Sequence, residues 1–347
     1  MRLWRNRQTL STSGSLAGSS SGVASATTVA ATTPPKATRG ARLGISAGPF
    51  ASIQLLDGVA ALGFMWVRVS EEYGWNGLDR LKATCDAAHA RGLKVVQAVQ
   101  IAGHKYDDPA KNAALPQFAV QCVDAGADLI EVGNEFNHTP FWQAPPVTTM
   151  PPAAQAVISI AVAKAVKAAH PSTPVITNGM SPEADPLNPW TWWPQFLDAD
   201  IAGHVGAKWD GIGLHPYCYP ELATANPAQW NPILQVPSIR TAAQQRGITT
   251  AVYLTELGAP GFPVATAPVI RNVALTEQRQ ADCYSAYLSV IRQQESAGIT
   301  YPLVCFATLF DGQSATTSVE QGLGLIRADG TKKPAYDIVK AFAAEAV

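Results

Sequence analysis

The sequence predicts an α/β protein built as a single (β/α)8 TIM barrel, preceded by a disordered N-terminal leader. Three observations carry that expectation. After Arg39-Gly40, short apolar runs alternate with helix-like segments through eight successive units. Such a rhythm gives a parallel sheet with helices outside it. The apolar runs are continuous rather than alternating, as strands covered on both faces are. Polar and ionisable residues then gather where the runs stop, which in a parallel barrel is the catalytic face.

Composition bounds the reading. The chain has 347 residues, 47% of them apolar, and a formal net charge of -1. That is enough apolar matter for the core of one large domain. No basic patch or acidic run suits nucleic acid, so none is expected as a partner. No apolar run approaches the roughly 20 residues of a membrane span. Cys85, Cys122, Cys218, Cys283 and Cys305 are odd in number and widely spaced. They form no CxxC or Cys/His zinc pattern and read as small buried apolar residues. A Cys85–Cys122 bridge between adjacent helices stays open.

Residues 1–40 read as a flexible leader or linker, and 41–347 as the catalytic barrel. Met1-Arg2-Leu3-Trp4-Arg5-Asn6-Arg7 runs into a tract rich in Ser, Thr, Gly and Ala. The continuous apolar stretch of a standard export signal is missing. Action outside the cell or at its envelope is nonetheless compatible with this composition.

The units follow in order. A strand at Leu43-Gly44-Ile45 precedes a helix over Ser52–Leu62. Phe64–Val69 precedes Gly77–Ala90, stopped by Arg91-Gly92. Leu93–Val99 precedes Lys111–Ala125. Asp128–Gly133 precedes Pro152–Ala169, which has proline at its start and His170-Pro171 after its end. Pro174–Thr177 precedes a short helix near Gln195–His204. Trp209–His215 precedes Ser238–Gln245. Thr249–Thr255 precedes Glu277–Ala297. Tyr301–Ala307 precedes Pro334–Ala344. The runner-up, a doubly wound open sheet, would want a glycine-rich phosphate loop after the first strand, and Gly44-Ile45-Ser46-Ala47-Gly48-Pro49 is not one. Residues 137–150 and 181–193 are too long for plain connections and read as substrate-shaping loops on the catalytic face.

The strand tips carry the chemistry. Arg68 ends the second strand and His104 follows the third. Asn134-Glu135 ends the fourth, and Asn178 stands just past the fifth. His215-Pro216-Tyr217 ends the sixth and Thr255-Glu256 the seventh. Two glutamates at separate tips are the parts glycoside hydrolysis needs: one protonates the departing oxygen, the other attacks the sugar or activates water. Each has a plainer reading alone. Glu135 could be a carboxylate opening a helix, and Glu256 a loop residue before Gly258. Both plain readings would have to hold at equivalent tips.

These residues carry a family resemblance. Glu131-Val132-Gly133-Asn134-Glu135-Phe136-Asn137 resembles the strand-four motif of clan A retaining glycoside hydrolases, in which Asn precedes the acid/base Glu. Leu254-Thr255-Glu256-Leu257-Gly258 resembles their strand-seven nucleophile motif. Asp210-Gly211-Ile212-Gly213-Leu214-His215-Pro216-Tyr217 resembles their strand six. Phe306–Gly312, Gly322–Ile326 and Lys333–Tyr336 resemble their last unit. The flavour is closest to the β-xylosidase-like and cellulase-like families, over roughly residues 41–345.

The resemblance implies Glu135 as general acid/base, Glu256 as nucleophile and Asn134 as partner of the sugar 2-hydroxyl. It also implies that His104 and His215 line the site. The acid must hold a proton near neutral pH, and the nucleophile must stay ionised, which Arg68 and the Tyr217 hydroxyl would favour. One departure stands out. The clan usually ends strand eight in a Trp that serves as a sugar platform, and Phe306 occupies the matching position here. Trp142, Trp190, Trp192, Trp193 and Trp230 fall in predicted catalytic-face loops and are the other candidate platforms. Trp66 and Trp209 sit inside strands and are expected in the core. Glu131 shares strand parity with Glu135, so it should point inward as a buried, hydrogen-bonded support.

The expectation is therefore a monomeric retaining glycosidase acting on a polysaccharide or oligosaccharide, without cofactor or metal. Endo action on a cell-envelope or capsular glycan competes with exo action. A non-catalytic glycan-binding or structural attachment module on the same barrel is the reading from another class.

Overall fold

Each predicted unit forms, and several helices start where their sequence tells them to. Ser52 Oγ accepts from Leu55 N at 3.1 Å, Asp108 Oδ1 from Ala110 N at 3.0 Å and Thr276 Oγ1 from Arg279 N at 3.1 Å. These side chains satisfy amides that the first helical turn leaves orphaned. The computed structural model describes residues 38–347 except 71, 74–76, 102–107, 138–150, 183–188, 204–208, 226–230, 248–250 and 313–317. Most of the expected leader thus lies outside the described residues.

The barrel strands are β1 (Leu43–Ser46), β2 (Trp66–Val69), β3 (Lys94–Ile101), β4 (Leu129–Val132), β5 (Val175–Met180), β6 (Gly211–Leu214), β7 (Ala251–Leu257) and β8 (Val304–Ala307). The helices are α1 (Ile53–Ala61), α2 (Leu78–His89), α3 (Pro109–Asp124), α4 (Pro152–Ala169), α5 (Pro189–Gly203), α6 (Pro232–Gln245), α7 (Glu277–Ser296) and α8 (Pro334–Ala344). Consecutive strands pair in parallel, and β1 pairs with β8, so the sheet closes on itself. A short strand, Glu72–Tyr73, extends pairing onto the end of β3. A hairpin of Val269–Ile270 and Val273–Ala274 stands in the β7–α7 connection. Arg271 and Asn272 turn it with positive φ of 50° and 63°, as a two-residue hairpin turn requires.

Three boundaries differ from the sequence expectation. α6 begins at Pro232 rather than Ser238 and runs through Pro237. A proline there leaves the Ile233 carbonyl without its helical amide. Gln294 Nε2 donates to that carbonyl at 2.7 Å, so the helix survives. α5 begins at Pro189, well before Gln195, because Trp192 and Trp193 are pulled into the core; Trp192 Nε1 donates to Gln155 Oε1 at 2.9 Å. β7 continues to Leu257, which places Glu256 inside the strand rather than beyond it.

α4 is 18 residues long, with a mean hydropathy of 1.2, and by length and composition could cross a membrane. It is a barrel helix, packed against α3 and α5 with Ile158, Ile160, Val162 and Val166 buried. All five cysteines are buried and free, so the Cys85–Cys122 bridge is absent.

The barrel interior is layered. Val96, Leu129, Ile176, Tyr253, Leu303 and Cys305 form one buried apolar cluster, with Trp66 packed on it. One strand repeat further along three of these strands, Trp66 gives way to Arg68, Leu129 to Glu131 and Tyr253 to Thr255. Side chains two residues apart share a face. An apolar plug thus carries a polar layer on its C-terminal side, and that layer is the floor of the site.

Candidate active site

Arg68 and Glu131 anchor the polar floor. Glu131 is completely buried and accepts from Arg68 Nε, from Gly179 N at 2.8 Å and from Thr255 Oγ1 at 2.8 Å. A buried carboxylate without such donors would be strongly destabilising. This is the inward support expected from strand parity. Arg68 spends its remaining donors upward. Nη1 reaches Ser46 Oγ at 3.2 Å and Glu256 Oε1 at 2.6 Å, and Nη2 reaches Asn134 Oδ1 at 3.0 Å. Burial works against the guanidinium charge, but Glu131 and Glu256 more than offset it, so Arg68 is held ionised. Because arginine only donates, Asn134 must turn its carbonyl to Arg68 and keep its NH2 for other acceptors.

Glu135 is held by its backbone. It has φ 45°, in the left-handed region that a non-glycine residue enters at a cost of about 1–2 kcal/mol. Gly133 before it has φ 86°, and a Cβ there would lie 2.1 Å from Phe136 Cζ. Glycine is therefore required for the chain to turn off β4 over the buried Phe136 ring. The strained turn is stitched to the end of β5. Glu135 N donates to Gly179 O at 2.9 Å and Phe136 N to Asn178 Oδ1 at 3.0 Å. Asn137 and Ser181 exchange a reciprocal pair, Asn137 Nδ2 to Ser181 O at 2.8 Å and Ser181 N to Asn137 Oδ1 at 3.0 Å.

Glu256 receives Arg68 on Oε1 and the Tyr217 hydroxyl on Oε2 at 2.8 Å. Burial raises its proton affinity. The charges of His215 and Arg68, with hydrogen bonds from Tyr217 and Arg68, outweigh that and hold the carboxyl below its ordinary value. Burial first, then the charges of Glu256 and Glu135, push the Tyr217 phenol well up, so it remains a donor.

His215 lies between the two carboxylates and is completely buried. Its Nδ1 is 2.9 Å from Glu135 Oε1 and 3.9 Å from Glu256 Oε2. Its Nε2 is 3.1 Å from Thr255 Oγ1. Burial disfavours the imidazolium, but Glu256 and Glu135 outweigh both it and Arg68, so His215 titrates above its ordinary value. Glu135, His215 and Glu256 each offer an atom within 4.8 Å of the others. Glu135 and Glu256 keep 12% and 22% of their side-chain surface exposed, so both carboxylates reach solvent.

Several expected contacts are placed elsewhere. Phe306 is completely buried between Phe64 and Tyr284, with ring centroids 5.5 and 5.6 Å away, and offers no face to a sugar. It is a core residue because Cys305 points into the barrel interior, so Phe306 next to it faces the helices together with Ile45, its partner in register. Asn178 is also completely buried and props the Glu135 turn. Arg68 and His215 likewise touch the carboxylates while being buried themselves. Trp192 and Trp193 are core residues of α5, which removes two of the aromatic platforms expected in the loops. Trp190 lies in α5, but its side chain is outside the described residues, as are His104, Trp142 and Trp230. The aromatic pair beside the carboxylates is Tyr217 and Tyr219, half-buried and edge-on with centroids 6.0 Å apart. Sequence reasoning missed Gly179 and Ser181, whose roles are backbone contacts without a residue-type signature, and the side-chain role of Asn137 in holding Ser181.

The arrangement resembles known proteins in its fold. The chain superposes on a family 39 glycoside hydrolase from Bacteroides cellulosilyticus WH2 with a TM-score of 0.59 and 18% identity, covering 89% of this chain and 65% of that one. For a family 5 glycoside hydrolase from Streptomyces cattleya, solved in complex with Manβ1-4GlcNAc, the TM-score is 0.61 at 17% identity, covering 87% and 80%. For the family 1 β-glucosidase from Thermotoga maritima it is 0.61 at 13% identity, covering 88% and 98%. The likeness is one of fold, a (β/α)8 barrel shared with these glycoside hydrolases. The chain spans just under two-thirds of the length of the family 39 protein. No protein-family model and no curated protein sequence matches the chain.

Proposed function

We propose that this protein is a retaining glycoside hydrolase acting on a polysaccharide or oligosaccharide, with Glu135 as acid/base and Glu256 as nucleophile. The observation that carries the reading is the pair of unlike carboxylates at one barrel mouth, with oxygens within 4.8 Å of one another. Retaining enzymes hold their carboxyl groups about 5–5.5 Å apart, and inverting ones about 6.5–9.5 Å to admit water. Nearest oxygens this close favour the tighter class.

The environments divide the roles. Glu256 is held ionised by Arg68, His215 and Tyr217, as an attacking carboxylate must be. Glu135 sits against an imidazole with which it can share a proton. In the first step Glu256 forms a bond to the anomeric carbon, the glycosidic bond breaks, and its electron pair takes the proton from Glu135. In the second, water attacks that carbon, returns a proton to Glu135 and releases Glu256. The NH2 of Asn134, oriented by Arg68, is placed to donate to the sugar 2-hydroxyl.

The Glu135–His215–Glu256 group also has the composition of a metal site. Against that, Glu256 already accepts from a guanidinium and a phenol, and a cation would have to sit beside the Arg68 charge. A chelator is expected to leave activity unchanged.

The test is hydrolysis of a panel of polysaccharides and aryl glycosides by the wild type and by Glu256→Ala, read as new reducing ends. Cleavage by the wild type alone supports the proposal. Binding to a glycan without cleavage would favour a non-catalytic module, and undiminished turnover by Glu256→Ala would refute the nucleophile.

A further inference from the structure

We propose that Thr255 is a positioning residue that fixes the tautomer of His215, and so keeps one shared proton on the line between His215 Nδ1 and Glu135 Oε1. This deepens the proposed function and rests on it for the acid/base role of Glu135. The tautomer itself is independent of any activity.

Glu131 receives donors on both oxygens: Arg68 Nε–H on Oε2, and the Gly179 amide and Thr255 on Oε1. Paired with a guanidinium and an amide, it acts as an acceptor. The Thr255 hydroxyl has one hydrogen, and Glu131 takes it at 2.8 Å. The 3.1 Å contact between Thr255 Oγ1 and His215 Nε2 then requires the hydrogen to be on Nε2. A neutral imidazole carries one N–H, so Nδ1 has a lone pair whenever His215 is uncharged. Yet Nδ1 and Glu135 Oε1 are 2.9 Å apart, which needs one proton between them. Either His215 is cationic and Glu135 ionised, or His215 is neutral and Glu135 carries the proton. The two states differ by one transfer along a single hydrogen bond. The second is the state in which Glu135 can protonate a leaving group, and the second chemical step restores its proton.

The other charged and titratable groups facing His215 are Glu256 at 3.9 Å from Nδ1, Glu131 at 3.9 Å from Nε2, Arg68, and the Tyr217 ring at 6.4 Å. None of them competes for Nε2 as closely as Thr255 does. The fit is tight. Gly179 packs so closely that a Cβ there would lie 2.0 Å from His215 Nε2 and 2.6 Å from Thr255 Oγ1, so a side chain at this position would displace the ring and the hydroxyl from each other.

Proton-detected 15N NMR of the histidine ring nitrogens tests this directly, on the full chain, in the wild type, Thr255→Ser and Thr255→Val. His215 is assigned by difference from His215→Gln. The wild type above its His215 titration is expected to carry the remaining proton on Nε2, Thr255→Ser to match it, and Thr255→Val to populate the Nδ1–H form. A neutral wild-type His215 protonated on Nδ1, or a Thr255→Val ring indistinguishable from the wild type, would overturn the proposal. Kinetics adds a second arm. Thr255→Val should lose up to about 10²-fold in rate on glycosides with poor leaving groups, which need the proton, and little on dinitrophenyl glycosides, which do not. A uniform loss across leaving groups would mean a merely structural role. If no glycoside is cleaved at all, the hydrolase reading fails while the ring-nitrogen result still decides the tautomer.

Discussion

Arg68 donates from Nη1 to Glu256 Oε1 at 2.6 Å, joining the second barrel strand to the seventh across the floor of the site. The same guanidinium binds Glu131 and Asn134, so one side chain sets the nucleophile, the buried support and the sugar-facing amide. Lysine offers a point charge without the planar fork and cannot span all three. Arg68→Lys should therefore cost roughly 3 kcal/mol of stability, because Glu131 loses a buried partner, and on the order of 10²-fold in kcat. Urea unfolding and steady-state kinetics check both.

Tyr217 gives Glu256 its second hydrogen bond, at 2.8 Å. A hydrogen bond to a charged group contributes about 1.5–3 kcal/mol. Tyr217→Phe keeps the ring and removes the donor, so kcat/KM is expected to fall by about 10- to 150-fold with the fold intact. Circular dichroism and kinetics on the same preparation separate the two effects.

The pH profile has a definite sign on each side. Glu256 is held below its ordinary value of 4.5, so its ionised form persists until pH falls through that lower value, and the acid limb lies below 4.5. His215 is held above its ordinary value of 6.5, so the shared proton is retained below that value and lost as pH rises through the raised one. The basic limb lies above 6.5 and is set by His215. A kcat/KM profile measured from about pH 3 to about pH 10 should be a bell with its plateau between those limbs. A basic limb below 6.5 would contradict the assignment.

Gly133 tests the strained turn. Gly133→Ala must tolerate φ 86° and a contact of 2.1 Å to Phe136 Cζ. The expected cost is about 1–3 kcal/mol in stability. Activity should fall beyond what stability explains, because the turn aims Glu135. Thermal unfolding and kcat below the unfolding transition check it.

The barrel was legible because buried strands and helix stops leave local signals. Runs such as Leu129-Ile130-Glu131-Val132 and caps such as Ser52 and Thr276 act within a few residues. Both carboxylates were legible for the same reason, since each ends an apolar run. What stayed hidden depends on distant partners. α6 crosses Pro237 only because Gln294 caps Ile233 from another helix. Trp192 and Trp193 looked like loop aromatics until packing enclosed them. Phe306 matched a platform by motif position, but Phe64 and Tyr284 cover its ring. Asn178 stood at a strand tip, as a sugar ligand would, and its actual partner is the Phe136 amide.

The central claim is that Glu256 attacks the anomeric carbon and Glu135 supplies the proton. The most direct measurement is proton NMR of the anomer first released from a glycoside the panel shows to be cleaved, recorded before mutarotation. The predicted result is a product with the same anomeric configuration as the substrate. A first product of opposite configuration would show single displacement by water and contradict the account.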